Sequence, residues 1–398
     1  MNIKEEFELY KSKGLHIDLS RGRPSREQLD LSLPMMDILS SSSDYLSNGI
    51  DTRNYGCLEG LKECRDLFSP IIGVPSNNII IMGNSSINIM YDQISRSMLF
   101  GVCGSTPWSK LGKIKWLCPV PGYDRHFAIL EHFGIEMIPI HMNENGPDVD
   151  EIEKYISDES VKGLWCVPKY SNPSGITYSD EVVKRLAELS PKAKDFRIYW
   201  DYAYAIHDFN EEEILLSIYE EAKRNGNEDI VYLFTSTSKV TFPGSGISMI
   251  GASERNINDI KSHLTIQTIG YDKINQLRHV RFFKTVDGLK NHMKKHGEIL
   301  KRKFDIVESI LSRKLSGLAS WSHPKGGYFV LLEVKGIASQ VVKRCKECGV
   351  VLTAAGATHP YHKDPSNSYI RIAPSSLSDE DLKTAMNVLC VAVKMERK

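Results

Sequence analysis

The chain has 398 residues, of which 41% are hydrophobic, so it is long enough for a large core and two domains. Its fifty basic and fifty acidic side chains give a formal net charge of zero, which offers no electrostatic argument for binding nucleic acid or an anionic membrane. The sequence has no run of about 18 apolar residues and no apolar signal region after Met1, so it predicts a cytoplasmic enzyme without a membrane span.

The cysteines and histidines do not predict a metal site. Cys345 and Cys348 form the only close cysteine pair, and one C-x-x-C without a second pair is weak evidence for zinc or redox chemistry. We expect ordinary reduced thiols. His292 and His296 lie four residues apart, but no glutamate follows His292, so we expect a solvated helix face and not a metal-binding motif.

The chain begins with a predicted amphipathic helix over residues 1–14, followed by a short strand that breaks into a basic turn. Gly14 ends the helix. The turn carries Arg21 and Arg23 on either side of Gly22. By its residues alone, this segment is a basic surface turn.

A small-residue turn follows the next predicted strand, which covers residues 78–82. Gly83, Asn84, Ser85 and Ser86 lead from this strand directly into a helix. Unpaired N–H groups and the positive end of the helix dipole make such a helix start suitable for a phosphate. A plain N-cap uses the same residue types, so both interpretations stay open.

From this point, apolar strands alternate with helical stretches. The predicted strands cover residues 115–119, 136–140, 162–167, 197–200 and 230–234, and the predicted helices cover residues 123–133, 148–157, 179–189 and 212–224. This alternation predicts an α/β fold with a mostly parallel sheet and helices on both of its faces. Ligands of such sheets bind at the carboxyl ends of the strands. The polar residues that follow strand ends are Asn84, Asn172, Asp201 and Lys239.

Lys239 comes just after the end of a buried strand. The four residues before it all carry hydroxyl groups, and Ser236 and Ser238 are among them. A lysine in this position is poorly solvated, which disfavours the ammonium form and makes the amine a usable nucleophile. The hydroxyl groups suit an anion such as a phosphate. Taken alone, however, this segment is better interpreted as a polar loop with a surface lysine, because most lysines are solvated.

Two further strand ends change that interpretation. Asp201 ends one apolar strand, and Asn172 follows another. A lysine, an acid and an amide are what pyridoxal phosphate (PLP) chemistry needs, because the lysine holds the aldehyde and the acid keeps the pyridine nitrogen protonated. Asn172 and Tyr204 could hydrogen-bond the phenolic oxygen of the ring.

The rest of the chain predicts a second, smaller domain. Residues 253–313 are mainly helical, and within them residues 290–303 are expected to form a long linking helix. β structure restarts at residues 324–332, and a later strand at residues 368–373 carries Arg371 among apolar residues. The planar guanidinium of Arg371 matches a carboxylate in a bidentate manner, and a structural ion pair is the alternative.

With these motifs in this order from Gly22 to Arg371, the chain resembles the fold type I PLP-dependent aminotransferases. It is most similar to the class I/II aspartate-aminotransferase-like enzymes, in the branch often called MocR-like or subgroup Ic. The resemblance implies a large PLP-binding α/β domain over residues 51–290. It also implies a smaller α+β domain, made of residues 291–398 together with the N-terminal segment 1–50.

The resemblance also assigns roles to residues at the mouth of the predicted site. It implies that Gly22, Arg23, Asn172 and Arg371 bind the substrate, with Arg371 on the α-carboxylate. Arg21 is a further candidate for a substrate carboxylate. The expected cofactor-binding set is Tyr55, Asn84, Ser85, Ser86, Tyr123, Asn172, Asp201, Tyr204, Ser236, Ser238 and Lys239, of which Lys239, Asp201 and Tyr204 are the predicted catalytic residues.

Two of these assignments depend on particular segments. Tyr55 matches a tyrosine that reaches the cofactor phosphate of the neighbouring subunit, which implies a homodimer with shared sites; a locally packed turn tyrosine is the alternative. Tyr123 matches an aromatic residue that lies flat on the pyridine ring, where offset stacking is favourable. Phe127 as a core residue and His126 as a polar neighbour are the alternatives for that turn.

One position departs from the family pattern. The commoner pattern has a phosphate-binding arginine eight residues after the lysine, and here that position is Ile247. The hydroxyl groups of residues 236–238 and the turn at residues 84–86 must then hold more of the phosphate charge. A dicarboxylic substrate also needs a second cationic residue, and the candidates are Arg21, Arg23, Arg53 and Arg125.

The sequence thus predicts a transaminase that moves an amino group from an amino acid to a 2-oxo acid by a ping-pong mechanism, with Lys239 shuttling the proton. Aspartate and 2-oxoglutarate are the expected pair. A PLP-dependent lyase or decarboxylase uses the same scaffold and is the alternative. A PLP-sensing transcription regulator is a remote one, because Gly22 follows Met1 too closely for a preceding DNA-binding region.

Overall fold

The fold is described from a computed structural model that covers residues 2–397. Its helices are α1 (Ile3–Ser12), α2 (Arg26–Asp30), α3 (Lys62–Ile72), α4 (Ser86–Phe100), α5 (Asp124–His132), α6 (Val149–Glu153), α7 (Asp180–Ala187), α8 (Ile218–Arg224), α9 (Glu254–Gln267), α10 (Lys273–Phe283), α11 (Val286–Leu315), α12 (Ala338–Glu347) and α13 (Asp379–Glu396). Its strands are β1 (Ile17–Asp18), β2 (Leu46–Ser47), β3 (Ile50–Asp51), β4 (Ile79–Met82), β5 (Lys115–Val120), β6 (Glu136–Asn143), β7 (Gly146–Pro147), β8 (Val161–Cys166), β9 (Arg197–Asp201), β10 (Val231–Ser236), β11 (Ser248–Ala252), β12 (Ser320–Trp321), β13 (Val330–Glu333), β14 (Val350–Val351) and β15 (Tyr369–Ile372).

A central sheet of eight strands organises the larger part of the molecule. Its order is β4-β11-β10-β9-β8-β5-β6-β7. Strands β10, β9, β8, β5 and β6 pair in parallel, whereas β11 is antiparallel to both of its neighbours and β7 is antiparallel to β6. The predicted mostly parallel α/β sheet is therefore confirmed, and the carboxyl ends of its parallel strands meet at one edge.

Helices cover both faces of this sheet, which explains why its strands are apolar without alternation. In β4, Ile79 and Ile81 belong to one hydrophobic core, together with side chains of α3, α6, α7 and α8. Ile80 and Met82 belong to the opposite core, with side chains of α4, α5 and α9. Every residue of β8, β9 and β11 is buried.

A third core lies beyond the sheet. It gathers the carboxyl half of α11 with α12, α13, β13 and β15, and the N-terminal residues Phe7, Ile17 and Leu19 pack into it. Strand β1 pairs in parallel with β14, which ties the N-terminus to this part of the chain. The domain boundaries at residues 50 and 290 stay predictions.

Two sequence-based expectations about helices are wrong. The helix predicted over residues 212–224 begins only at Ile218, because Ser217 caps it by accepting from the Glu220 N–H, while the Glu213 N–H donates to Asp208. His292 and His296 were expected on a solvated face. Both are buried, because α11 packs there against the turn that follows β10.

Most other elements agree with prediction to within a few residues, but the β structure predicted over residues 324–332 begins only with β13 at Val330. The predicted linking helix at residues 290–303 is the middle of the 30-residue helix α11. Among residues 2–397, none of the helices combines the length and the apolar character that crossing a bilayer requires.

Candidate active site

A cavity of about 590 Å³ lies between the carboxyl edge of the sheet and the third core. Residues from both sides of it were singled out from the sequence. Those that line the cavity are Arg21, Gly22, Arg23, Tyr123, Arg125, Asn172, Tyr204, Lys239 and Arg371. The structure therefore brings together side chains that are up to 350 positions apart in the sequence, from Arg21 to Arg371.

Lys239 lies in a helical turn directly after β10. The N–H groups of Val240 and Thr241 both donate to the carbonyl oxygen of Thr237, at 3.0 and 2.9 Å. The Nζ atom of Lys239 lies 5.2 Å from the ring centroid of Tyr204 and 5.9 Å from that of Tyr328. Burial lowers the pKa of Lys239, and the Asp201 carboxylate opposes this effect. The amine is thus more available as a nucleophile than a solvated lysine.

Asp201 is buried at the end of β9, and its two carboxylate oxygens have different surroundings. Oδ2 lies 3.0 Å from Nε2 of His126, whose ring stacks on Trp165 with centroids 4.2 Å apart and planes at 10°. Oδ1 is buried and has no hydrogen-bond partner among the described residues. A buried carboxylate oxygen without a partner is costly. It fits a ligand that brings an N–H donor, as the protonated pyridine ring of PLP does.

Tyr123 and Tyr204 place aromatic rings near the lysine. The ring of Tyr123 meets that of His126 edge-on, with centroids 4.9 Å apart. Burial raises the pKa of Tyr123 to about 12 and that of Tyr204 well above its usual value, so both phenols are protonated donors near pH 7. The predicted flat stacking of Tyr123 on a cofactor ring stays a prediction.

The residues predicted to hold a phosphate meet at one corner of the sheet. The hydroxyls of Ser236 and Ser238 lie 3.0 Å apart, and that of Ser238 donates to the carbonyl of Asn84 at 3.2 Å. Ser85 occupies the N-cap position of α4, but its side chain makes no capping hydrogen bond, and Ser86 begins the helix. Hydroxyl groups next to the amino end of a helix are of the kind that suits an anion, and the predicted phosphate site stays a prediction.

The residue that replaces the usual phosphate-binding arginine takes no part in this corner. Ile247 is 1% exposed and lies in a hydrophobic core. Two other candidates lie outside the cavity. Tyr55 is on the surface with 82% of its area exposed. Arg53 forms an ion pair with Asp51 at 2.7 Å. Neither Tyr55 nor Arg53 lines the cavity.

Arg371 is buried at the cavity wall and already has several partners. Its Nη1 donates to Asp124 at 2.8 Å and to Asn172 at 3.1 Å, and its Nη2 donates to the Ser20 carbonyl and to the Thr353 hydroxyl. Its Nε has no partner among the described residues. The structural ion pair that the sequence left open as an alternative therefore exists, with Asp124.

The guanidinium of Arg371 lies over the ring of Phe329, 5.0 Å from the centroid. The same ring explains the glycine in the basic turn. A Cβ atom at Gly22 would lie 2.5 Å from Cζ of Phe329, so only glycine lets the turn approach this closely.

Sequence reasoning missed His362, which also lines the cavity. His362 and the preceding Tyr361 both have a φ of 56°, a left-handed conformation that is costly for residues other than glycine. The Tyr361 hydroxyl accepts from the Met137 N–H at 3.0 Å, which fixes this loop to β6. Nothing in the local sequence indicates this conformation, because it depends on contacts with a distant strand.

The comparisons with known proteins agree with this geometry. A family model described as aspartate amino-transferase matches residues 1–398. A relative named aspartate aminotransferase, from Corynebacterium glutamicum, is 43% identical over 98% of this chain and 92% of its own. The crystal structure of a putative aminotransferase from Corynebacterium diphtheriae superposes with a TM-score of 0.96 and 44% identity, over 99% of this chain and 98% of that one.

A more distant solved structure shares the fold alone. It is the α-aminoadipate aminotransferase LysN from Thermus thermophilus, complexed with N-(5'-phosphopyridoxyl)-L-leucine. It superposes with a TM-score of 0.78 and 19% identity, over 99% of this chain and 95% of that one. At this level of identity the likeness shows the shared fold type I architecture.

Proposed function

The chain belongs to the aspartate aminotransferase family, and from that premise we propose that it transfers the amino group of aspartate to 2-oxoglutarate with pyridoxal phosphate as cofactor. Its general activity is that of an aminotransferase. The observation that carries the proposed cofactor is the pair formed by Lys239, with its lowered pKa, and the unpartnered Oδ1 of Asp201.

The residues present fit this cofactor. Lys239 is the proposed point of attachment, Asp201 the partner of the pyridine nitrogen, and the Ser236, Ser238 and Asn84 corner the phosphate site. When bound, PLP supplies an aldehyde that accepts an amine and a ring that withdraws electrons from the substrate Cα. The protein supplies the orientation, the proton transfers and the electrostatic environment.

Lys239 is also the proposed general acid–base. Once its Nζ is free, it takes the proton from the substrate Cα, and the lowered pKa raises the fraction of the amine in the basic form that this step needs. Nζ lies over the rings of Tyr204 and Tyr328, 5.2 and 5.9 Å from their centroids. The two half-reactions, with amino donor and oxo acceptor in turn, give ping-pong kinetics.

Arg371 is proposed to bind the α-carboxylate. Its guanidinium lies at the wall of the cavity, is oriented by Phe329 beneath it, and shares Nη1 with Asn172. Because four hydrogen bonds already fix the group, little side-chain entropy is lost when a carboxylate binds. The Asp124 partner would have to share Nη1 with the substrate.

The structure narrows the candidates for a second carboxylate. Arg53 lies outside the cavity, and Arg23 lies 3.6 Å from Asp18. Arg21 and Arg125 line the cavity, and neither forms a salt bridge within the described residues 2–397. We assign the side-chain carboxylate of aspartate to these two arginines; His362 lines the same cavity.

A homodimer is part of this proposal. Tyr55 is a large aromatic side chain that one copy of the chain leaves almost fully exposed, which supports a contact with a second copy. Its role at the neighbouring site is carried over from the family resemblance.

A substrate panel on purified protein tests the proposed reaction. Glutamate formed from aspartate and 2-oxoglutarate, with a higher kcat/KM than from alanine, is the expected result. Release of ammonia without an oxo acid acceptor would instead identify a lyase, and no turnover of either kind would contradict the proposal.

A further inference from the structure

Two buried histidines from neighbouring helices hold the turn that carries Lys239. His279 comes from α10 and His292 from α11, and they contact the turn at different points. Neither histidine is among the described residues that line the cavity. Neither therefore has a direct role in the proposed reaction.

His279 contacts the start of the turn through one defined tautomer. Its Nδ1 lies 2.8 Å from the carbonyl oxygen of Asn275, and because a carbonyl only accepts, Nδ1 carries the proton. Burial lowers the pKa of His279 to about 4, so the ring is neutral near pH 7 and Nε2 is an acceptor. The hydroxyls of Thr237 and Thr241 lie 3.1 and 3.0 Å from Nε2 and donate to it.

His292 contacts the residue directly after the lysine. Its Nε2 lies 2.9 Å from the carbonyl oxygen of Val240, so the Nε2–H donates to this oxygen. The hydroxyl of Ser32 donates to the same carbonyl oxygen at 3.5 Å. Burial lowers the pKa of His292 as well. The main chain next to Lys239 is therefore bonded to both α11 and the N-terminal segment.

A second imidazole lies against His292. Nε2 of His296 lies 3.1 Å from Nε2 of His292, and the amide nitrogen of Gln28 lies 3.1 Å from Nδ1 of His296. The Gln28 carbonyl accepts from the Ser25 N–H at 3.0 Å, which fixes the orientation of the amide. All of these polar side chains are buried, so His292 is enclosed between α11 and the N-terminal segment.

We propose that His279 and His292 are positioning residues for Lys239, holding the turn on both sides of the lysine so that Nζ reaches the substrate Cα. This inference rests on the proposed function, which makes Lys239 the cofactor-binding lysine. A lysine has four flexible side-chain carbons, so a shift of its main chain is passed on to Nζ. Misplacement by about 1 Å costs roughly 10²-fold in rate when the reacting atoms are no longer aligned.

Paired substitutions separate hydrogen bonding from packing. His292→Leu and His279→Leu keep the sites apolar and filled but remove the bonds. His292→Gln keeps a donor for the Val240 carbonyl, and His279→Gln keeps an acceptor for the two threonine hydroxyls. Val307→Ala is the control, because it removes buried volume from α11 in the third core, away from the turn.

Two measurements are made on each variant. The first is steady-state kcat and KM with saturating PLP. The second is the pH dependence of acetylation of Lys239 in the protein freed of cofactor, followed by mass spectrometry of the peptide. This second readout does not depend on turnover by the loaded enzyme.

The expected result is a kcat about 10- to 100-fold lower for the two leucine variants, with KM little changed and with substantial recovery in the glutamine variants. The acetylation midpoint of Lys239 should also move to higher pH in the leucine variants, because a less constrained amine is better solvated. Val307→Ala should lower thermal stability and leave both readouts unchanged.

Leucine variants that lose only thermal stability, with wild-type kcat and acetylation midpoint, would overturn the positioning role. If the proposed function itself is wrong, the measurements give a different pattern. In that case wild-type protein itself would not attach PLP at Lys239, whatever the histidine variants do.

Discussion

Asp201 and His126 share a hydrogen bond of 3.0 Å between Oδ2 and Nε2, while the other carboxylate oxygen of Asp201 has no hydrogen-bond partner among residues 2–397. His126 is held in turn by stacking on Trp165. The imidazole therefore fixes the orientation of the carboxylate, and in the proposed site the second oxygen would accept from the pyridine N–H. Histidines and carboxylates orient each other through hydrogen bonds in the same way in other functional sites.

Asp201→Asn tests this relationship. The substitution keeps the shape of the side chain but removes the negative charge that would hold the pyridine nitrogen protonated. We expect PLP to bind still and the deprotonation of Cα to slow by roughly 10²- to 10⁴-fold, the range seen for such electrostatic and proton-transfer contributions. Single-turnover absorbance kinetics measure this step, and a wild-type rate would rule out the proposed role.

Arg371→Lys tests the α-carboxylate site. Lysine keeps the positive charge but loses the planar fork, so it should not rescue binding. Loss of a charge-assisted hydrogen bond costs about 1.5–3 kcal/mol, which corresponds to a kcat/KM roughly 10- to 100-fold lower. The comparison uses aspartate and alanine, since both carry an α-carboxylate. An effect on aspartate alone would move Arg371 to the side-chain carboxylate.

Arg125→Gln and Arg21→Gln test the second carboxylate site. Each should lower kcat/KM for aspartate by roughly tenfold or more and leave alanine nearly unchanged, because only aspartate brings the second negative charge. Arg53→Gln is the matched control, since that arginine is exposed and bonded to Asp51 outside the cavity. Equal losses for aspartate and alanine would contradict the assignment.

Acid should destabilise the protein through its buried histidines. Burial lowers the pKa of His207 and His296 to about 3 and that of His279 to about 4. The unfolded chain binds protons near pH 6.5, whereas the folded chain does not, so stability is complete above that pH and is lost as the pH falls toward 4. Each such histidine contributes a slope of about 1.4 kcal/mol per pH unit in this window.

Urea unfolding at several pH values between about 7.5 and 5 measures this slope, because this range includes pH values above and below about 6.5, the pKa of an unfolded histidine. His279→Gln should lower by about one the number of protons taken up on unfolding, and the slope of stability against pH should decrease accordingly. A free energy of unfolding that does not change below about pH 6.5 would show that these imidazoles are not buried as described.

The sheet and most of the site were predictable because local pattern and strand direction suffice for them. Apolar runs such as residues 230–234 indicated buried strands, and parallel strands bring their carboxyl ends to one edge. Asp201 and Lys239 could therefore be expected near each other. Asn172 and Arg371 line the same cavity, as the order of the motifs in the sequence predicts.

The contacts that sequence reasoning missed are all non-local. His292 and His296 lie in a lysine-rich stretch and look exposed, but the N-terminal residues Ser32 and Gln28 cover them. The Asp124 partner of Arg371 comes from 247 positions earlier in the chain. No periodicity within a helix or strand encodes such partners, because they depend on how distant elements pack.

The central claim is that Lys239 binds the cofactor covalently. The most direct measurement is to incubate the purified protein with pyridoxal phosphate, reduce it with borohydride and map the modified peptide by mass spectrometry, with Lys239→Ala in parallel. The account predicts a phosphopyridoxyl group on residue 239 of the wild-type protein, and nearly complete loss of transamination in the variant. Modification of another lysine, or full activity of Lys239→Ala, would contradict it.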